Sequence, residues 1–438
     1  MLNPKQIEFP GKVDRRGLSL LAILFLVSLF IPLRFTIGSF ALEAYRVVLL
    51  IALFPSIIKW LTGSGGRVSI ADVLIILHVF WASLAIFVVH GASFIEAIGI
   101  YAIEVLGTYF LARTQRPTPE SFRQLFFILW VGILISLPIA MIESTTNQNI
   151  IIEALGQFTA IRSLQDPRLG LFRAQTFFDH TILYGIVAAS IFAPTLFILV
   201  KNKNLFVKTC FISVPSVATF LSLSSGAFAF FGLQVIATIW GFALRTANRW
   251  KLFAAAVVGA YVFVEIAATR SPYTVLVYYL SFNSHSAYNR ILIWDHATDD
   301  VLRNPLFGIG FNDWDRPYWM HSGSTDNFWL VVAVRYGLPG LISLMLCLFF
   351  VLRSAIRKDL SEKTLSSYRT AYCIMLISFS VAIINTHLWS RPFVLLIFYI
   401  GMAGLFTMIV QTTSADEFRG RNTTVVSKRR RGILDVRS

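Results

Sequence analysis

The chain has 438 residues, of which 56% are hydrophobic and 14% are charged, and its formal net charge is +15. Soluble globular proteins carry about 25% charged residues, so this composition excludes a chain of soluble domains. Apolar runs of about 18 or more residues, the length of a transmembrane helix, recur along the sequence. We count about twelve by this criterion, and they lie near residues 17–34, 40–59, 70–90, 92–112, 122–143, 178–200, 205–222, 226–244, 251–269, 327–352, 369–386 and 392–411. The sequence therefore predicts an all-α polytopic membrane protein with one domain over residues 1–438.

Basic residues are concentrated in alternate connections between these predicted helices. Twenty-seven of the 38 lysines and arginines fall on one side of the membrane if the helices alternate in direction. The more basic side of a membrane protein faces the cytoplasm, so residues 1–16 are predicted as a cytoplasmic N-terminus and 412–438 as a basic cytoplasmic tail. The run Lys428–Arg431 is typical of a segment near anionic lipid, and this distribution argues against a nucleic-acid partner.

The opposite face, which is predicted to be periplasmic, carries arginine but no lysine. Its eleven basic residues are Arg34, Arg46, Arg162, Arg168, Arg173, Arg270, Arg290, Arg303, Arg316, Arg335 and Arg391. A guanidinium group binds phosphate oxygens bidentately and stays charged, so an arginine-only face is typical of a phosphate or diphosphate site. The alternative is that each arginine lies at the membrane interface and pairs with a nearby acid.

Two connections on this outer face are long, one over residues 144–175 and the other over 271–324. The second contains helical spacing of apolar residues from 287 to 303, and then Pro305, Gly308 and Gly310 in a turn. The pattern predicts a surface helix and a tight loop that lead to the membrane helix starting near Asn327.

Three polar segments carry a resemblance to a known family. They are F-R-A-Q-T-F-F-D-H-T-I-L-Y-G at 172–185, N-R-I-L-I-W-D-H-A at 289–297 with N-P-L-F-G-I-G-F at 304–311, and T-D-N-F-W-L-V-V-A-V-R-Y-G-L-P-G at 325–340. In this order they resemble the O-antigen ligase and polysaccharide polymerase superfamily of bacterial integral-membrane proteins, closest to its exopolysaccharide polymerase-like subgroup. The resemblance covers the second half of the chain, whereas the first five helices match only in hydropathy. One departure is Asp326, which stands where the family has a histidine before the asparagine.

The resemblance implies glycosyl transfer at the outer leaflet of the bacterial inner membrane. The donor would be a polyprenyl-diphosphate-linked oligosaccharide, and the acceptor would be a hydroxyl group of another glycan. Arginines can stabilise a departing diphosphate, so we expect neither a metal nor another cofactor. The implied partners are the lipid-linked donor, the glycan acceptor and the lipid bilayer, together with a flippase and a chain-length regulator of the same pathway.

Arginines of the three motifs are the candidates for binding the donor diphosphate. Arg173 and Arg290 each lie where a long outer loop approaches a membrane helix, and Arg335 lies in an apolar segment, where charged residues usually face the bundle interior. For Arg290 the alternative is a structural ion pair with Asp295 or another acid of the loop. For Arg335 the alternative is an ion pair with Asp326 or another buried acid.

Two residues are candidates for the base that accepts the proton of the acceptor hydroxyl. Asp326 holds the position of the family's histidine, and His321, five residues earlier, has the more suitable unperturbed pKa. Asp326 could instead cap the following helix.

Four further side chains are candidates for contacts with the glycan: His180, Trp294, Trp314 and Asn327. Aromatic rings can stack on sugars, and polar side chains can bond to hydroxyls. His180 stands before a predicted helix and could equally be a cap.

Two other functions stay open. One is the sibling reaction, in which an O-antigen ligase transfers glycan to lipid A core. The other belongs to a different class, a polysaccharide transporter or flippase, in which Glu43, Asp72, Glu96, Glu104 and Glu265 would couple ions to transport. Transporters tend to contain internal repeats. The absence of a repeat and the polar outer loops favour the enzyme.

Overall fold

The structure, a computed structural model, describes residues 17–37, 40–63, 66–115, 118–159, 167–244, 246, 248–280, 284–320, 323–357, 360, 363–404 and 406. Within these ranges the chain is almost entirely helical. The α-helices are α1 (Leu20–Ser28), α2 (Ala44–Leu61), α3 (Ile70–His90), α4 (Ile95–Ala102), α5 (Thr108–Arg113), α6 (Pro119–Thr146), α7 (Ile150–Leu155), α8 (Thr181–Ser190), α9 (Phe192–Pro194), α10 (Leu205–Leu221), α11 (Ser225–Ala243), α12 (Arg249–Ala267), α13 (Pro272–Leu280), α14 (Ser284–Arg303), α15 (Phe328–Arg357), α16 (Lys363–Ala382) and α17 (Ser390–Met402).

Short irregular helices and one hairpin complete the described structure. The 3₁₀ turns are Gly91–Phe94, Gly156–Phe158 and Ile383–Asn385, and the π-helical turns are Ile103–Gly107 and Thr195–Leu199. The two strands β1 (Arg34–Ile37) and β2 (Phe40–Glu43) pair antiparallel, with Arg34 opposite Glu43.

Eight helical segments of the described chain are long and apolar enough to cross a membrane. They are Ala44–Leu61, Ile70–Arg113, Pro119–Thr146, Thr181–Leu199, Ser225–Ala243, Arg249–Ala267, Phe328–Arg357 and Thr364–Asn385. The second segment has 44 residues and contains two of the predicted helices. Its two ends lie side by side, since Arg113 Nε is 2.9 Å from Asp72 Oδ1. The chain turns back at Gly91, whose φ is +68°. The prediction of an all-α polytopic membrane protein is confirmed.

Three further predicted spans coincide with shorter apolar helices. Helices α10 and α17 have 17 and 13 residues, and α1 has only nine. The sequence predicted a helix over 17–34, but α1 ends at Ser28 and the chain then enters strand β1. Pro32 accounts for part of this difference, because a proline disfavours helical backbone at the residue before it.

The Pro-Leu-x-Gly-x-Gly turn docks on a break in α15. Gly337 interrupts that helix with a φ of +72°, and the N–H of Leu338 donates to the carbonyl oxygen of Pro305 at 2.8 Å. A Cβ atom on Gly337 would lie 2.1 Å from the carbonyl oxygen of Leu306, closer than any side chain permits. The glycine therefore allows both the backbone angle and the close approach of the loop.

Helix α14 is fixed above α15 by a small apolar core of its own. Its residues Ile293, Ala297 and Val301 pack against Trp314 and Met320 of the following loop and against Leu330, Ala333 and Val334 of α15. The helix predicted over 287–303 is confirmed as α14, and it carries Arg290 to the start of α15.

Candidate functional site

The site lies where four polar segments of the chain meet, at residues 173–181, 221–226, 325–328 and 385–391. The N–H of Ala174 donates to the carbonyl oxygen of Leu221 at 2.9 Å, and the N–H of Phe328 donates to that of Thr386 at 3.1 Å. Gly226 packs against Thr386, whose hydroxyl oxygen would lie 2.0 Å from a Cβ at that glycine. These contacts bring together the beginnings of α8, α11, α15 and α17.

Arg290 reaches the beginning of α15 and pairs with Asp326. Its Nε lies 3.6 Å from Asp326 Oδ2, and the side chains are 6% and 33% exposed. Its Nη2 donates to Ser225 Oγ at 3.5 Å. Arg290 therefore pairs with Asp326 of another segment and not with Asp295 of its own helix.

The charge state of Arg290 follows from this environment. Burial lowers the pKa of Arg290, and the negative charge of Asp326 opposes that effect. A guanidinium group keeps its proton in proteins, so the buried cation needs an anion beside it. Asp326 provides one from a position that is still open to solvent.

Asn327, rather than Asp326, caps α15. Its Oδ1 accepts the N–H of Leu330 at 3.2 Å. Its Nδ2 is buried and has no hydrogen-bond partner among the described residues. Asp326 is left to face Arg290 and to accept a hydrogen bond from Ser324 Oγ at 3.0 Å.

Two partly buried histidines, His180 and His387, pack against Trp389. His180 caps α8 through its Nδ1, which accepts the N–H of Ile182 at 3.1 Å. The ring centroids of His180 and His387 lie 5.9 and 5.1 Å from that of Trp389. Both rings hold their places by packing against the same indole.

Both histidines are neutral near pH 7. Burial lowers the pKa of His180 to about 4, and the positive charges of Arg173 and Arg168 act in the same direction. Burial also lowers the pKa of His387 to about 4, with Arg335 as the contributing charge. The charges of Arg173 and Arg335 thus act on the two histidines that pack against Trp389.

Buried polar atoms with no hydrogen-bond partner in the described chain are concentrated in the four segments. They include Thr176 Oγ1, Thr181 Oγ1, Ser224 Oγ, Asn327 Nδ2, Asn385 Oδ1 and Nδ2, Thr386 Oγ1 and Ser390 Oγ. An unsatisfied buried polar group costs about 1–3 kcal/mol. The segments thus offer donors and acceptors to polar groups other than the described protein atoms, such as water or a sugar.

A cavity of about 200 Å³ lies beside the start of α15 and is lined by both Trp314 and Arg335. The Arg335 guanidinium stacks over the ring of Phe311 at 5.1 Å. Trp314 is buried in the small core, and its Nε1–H donates to the carbonyl oxygen of Gly323 at 3.1 Å. Trp294 stands outside the cavity, half-exposed, with its ring 4.6 Å from that of Tyr273.

Residues 209–345 match the family model described as O-antigen ligase. The match supports membership of the O-antigen ligase and polymerase superfamily. A comparison with curated proteins gives no match. The matched segment contains Arg290, Asp326 and Arg335, whereas Arg173 and His180 lie before it. Lipid-linked glycans in a membrane are the substrates that the superfamily implies.

Sequence reasoning gave no role to Arg391, which is among the most buried side chains of the described chain. Its Nη2 lies 3.2 Å from Glu43 Oε2 and 3.7 Å from Asp179 Oδ1, and its Nη1 donates to the carbonyl oxygen of Phe177. Arg391 therefore holds the loop before α8. An arginine at the edge of an apolar run was its only signal in the sequence. His321 lies outside the described residues.

Proposed function

We propose that this superfamily member polymerises lipid-linked oligosaccharide repeat units into exopolysaccharide at the outer leaflet of the bacterial inner membrane. The observation that carries the proposal is the Arg290–Asp326 pair, which joins a buried cation to a half-exposed carboxylate where four polar segments converge. In the proposed orientation both termini are cytoplasmic and the site is periplasmic, with a flippase and a chain-length regulator as partners in the same pathway.

The reaction transfers a glycan from a polyprenyl diphosphate to a hydroxyl group. The oxygen of the acceptor hydroxyl forms a bond to the anomeric carbon, and the bond from that carbon to the diphosphate oxygen breaks. The diphosphate leaves with the bonding electron pair, and the hydroxyl proton passes to a base. Arg290 would stabilise the charge that develops on the diphosphate, assisted by Arg173 and Arg335, and no metal is required.

The ion pair suggests how the donor would activate the base. A diphosphate bound to Arg290 would replace Asp326 as the anion beside that guanidinium group. Asp326, then free of its cation, is the carboxylate that would accept the hydroxyl proton. His321, five residues earlier in the chain, is the second candidate for the same role.

Contacts with the glycan are proposed for polar groups that border the pair. Asn327 Nδ2 and His180 lie in the converging segments, and Trp294 presents a half-exposed ring at their edge. Trp314 was predicted to bind glycan as well. Its buried indole supports packing of the loop against α15, so we do not assign it to the sugar.

The transporter alternative is less well supported, because three of its five candidate acids hold structural partners. Glu43 pairs with Arg391, Asp72 with Arg113, and Glu104 with Arg46 at 2.8 Å. Acids that hold a fixed structural partner are poor carriers of coupling ions. The ligase alternative shares the donor and the arginines, so only the acceptor separates it from the polymerase.

A strain that lacks the gene tests the proposal. The length distributions of secreted and lipid-linked polysaccharide are compared with those of the wild type and of a strain complemented with Arg290→Lys. A polymerase predicts single repeat units in the deletion and no long chains with Arg290→Lys at normal protein level. Full-length polymer on its lipid carrier that is missing from lipid A core would establish the ligase. Absence of repeat units from the outer leaflet would establish a transporter.

A further inference from the structure

A second cavity, of about 420 Å³, lies at the other end of the helix bundle. It is enclosed by the first turn of α3, the end of α5, and the last turns of α15 and α17. Arg353 and Arg357 of α15 line it. Helix α3 connects the two ends: Ser69, before its first turn, lines this cavity, and His90, its last residue, accepts the N–H of Phe311 beside the candidate site at 2.8 Å. Its 21 residues extend over roughly 30 Å. Because the hydrocarbon core of a bilayer is about 30 Å thick, this cavity belongs to the membrane surface opposite the candidate site.

The arginine deepest in the cavity is already neutralised. Arg113 Nε and Nη2 donate to the two carboxylate oxygens of Asp72 at 2.9 and 3.2 Å. Asp72 also accepts the hydroxyl of Tyr109 at 2.6 Å and the backbone N–H of Ser69 at 2.8 Å. The carboxylate is fully engaged, so it offers little charge to other cations.

The remaining two arginines give the cavity a positive rim. Arg353 and Arg357 are spaced i,i+4, so they lie on one face of α15, and both are exposed. None of the described residues that line the cavity is an aspartate or glutamate. Two positive charges therefore face a space whose described walls contain no free carboxylate.

The walls below this rim are apolar. Phe350 and Val351 line the cavity from α15, and Ile400 and Ala403 line it from the end of α17. A soluble anion would gain nothing from these walls, whereas an acyl chain would be buried against them. A cationic rim over an apolar wall at a membrane surface fits an amphiphile with a negatively charged head.

We propose that this cavity binds an anionic phospholipid of the leaflet opposite the candidate site. Arg353 and Arg357 contact the headgroup phosphate, and the first part of an acyl chain lies between α15 and α17. The site is independent of the glycosyl-transfer reaction. It places a lipid contact on the same helix, α15, that begins beside Asp326.

The test uses the purified full chain in detergent. Thermal unfolding is followed during titration with phosphatidylglycerol, with zwitterionic phosphatidylcholine and with inorganic phosphate. The variant is Arg353→Gln with Arg357→Gln. The control is Lys59→Gln with Lys203→Gln, which removes two exposed charges of the same sign that do not line the cavity. A third protein, with lysine at both arginine positions, keeps the charge.

Phosphatidylglycerol is expected to raise the unfolding temperature of the wild type and of the control. The double glutamine variant should require on the order of tenfold to thirtyfold more of it, and the double lysine variant should keep most of the binding. An equal effect of phosphatidylcholine, or an unchanged affinity of the glutamine variant, would overturn the proposal. An equal effect of inorganic phosphate would show a site for a soluble anion instead. If the glutamine variant does not fold, the proposal is still tested by comparing phosphatidylglycerol with phosphatidylcholine and inorganic phosphate on the wild type and the lysine variant.

Discussion

Two arginine–aspartate pairs, one at each end of the bundle, differ in almost every physical respect. Arg113 and Asp72 are 4% and 0% exposed and lie 2.9 Å apart, and the carboxylate accepts further hydrogen bonds from Tyr109 and Ser69. Arg290 and Asp326 are 3.6 Å apart, and the aspartate is 33% exposed. The first pair is closed and fully satisfied. The second pair is longer, and its carboxylate is partly open to solvent. A site that exchanges one anion for another requires such an accessible carboxylate.

The closed pair should respond to mutation mainly through stability. Removing one partner of a buried pair costs about 3–5 kcal/mol, because the other charge stays buried without compensation. We therefore expect Asp72→Asn to lower the amount of folded protein in the membrane and its unfolding temperature. Glu120→Gln, which breaks an exposed pair with Arg123, is the matched control and should change neither. A stable Asp72→Asn protein would show that the closed pair contributes little.

The open pair should respond mainly through activity. Asp326→Asn keeps the shape of the side chain and removes the base, which is expected to slow polymerisation by roughly 10²–10⁴-fold. The unfolding temperature should also fall, because the buried Arg290 loses its anion, but by less than for Asp72→Asn, because this pair is longer and its aspartate is partly solvated. Polymerisation in membranes that contain equal amounts of each protein measures the effect. If Asp326→Asn is nearly normal and His321→Asn is inactive, the histidine is the base.

A variant of Arg391 tests the role of a residue that positions the site without taking part in the reaction. Arg391→Lys cannot contact Glu43 and the carbonyl oxygen of Phe177 together, because an ammonium group lacks the planar fork of a guanidinium. The loop that carries His180 should then shift, and activity should fall by about tenfold, through the KM for the acceptor more than through kcat. The lysine variant of Arg316, on the outer loop, is the control. An equal fall in both kinetic constants and in stability would indicate a purely structural role.

The histidines give the smallest expected effect, a dependence of stability on pH. Their pKa values are about 4 in the folded protein, against about 6.5 in an unfolded chain. Between these values the unfolded state binds more protons, so stability is full above pH 6.5 and falls as the pH falls towards 4. At pH 5 the loss from His387 is expected to be about 1–2 kcal/mol. The free energy of unfolding of His387→Gln should depend less steeply on pH than that of the wild type. An unchanged pH dependence would contradict the lowered pKa of His387.

The membrane helices could be predicted because the length of each apolar run can be read directly from the sequence. The same local information predicted the helix that became α14 and the turn at Gly308 and Gly310. It could not predict that the turn docks on a break in α15, because the contacts at the break join segments that are distant in sequence. The N–H of Leu338 donates to the carbonyl oxygen of Pro305, and the N–H of Ile309 donates to that of Val334. The early end of α1 at Ser28 could not be predicted, because an apolar run does not exclude a strand.

The candidate site was predictable in its residue types but not in its pairings. For Arg290 the sequence offered Asp295 or another loop acid as the structural partner, since proximity in sequence was the only guide, and the structure pairs it with Asp326. Asn327 and Asp326 both suit a helix cap, and only the fold shows that Asn327 takes that role. Arg391 was visible as an outer arginine. Its partners Glu43 and Asp179 come from segments that no local pattern relates.

The most direct test of the exchange between Asp326 and the donor is the affinity of the purified protein for a polyprenyl diphosphate without sugar. If the diphosphate displaces the carboxylate from Arg290, Asp326→Asn removes a competitor and binding should tighten, although catalysis is lost. Arg290→Lys should weaken binding, while the lysine variant of Arg303, an exposed arginine of the same helix, should bind as the wild type does. Weaker binding by Asp326→Asn, comparable to that of Arg290→Lys, would contradict the account.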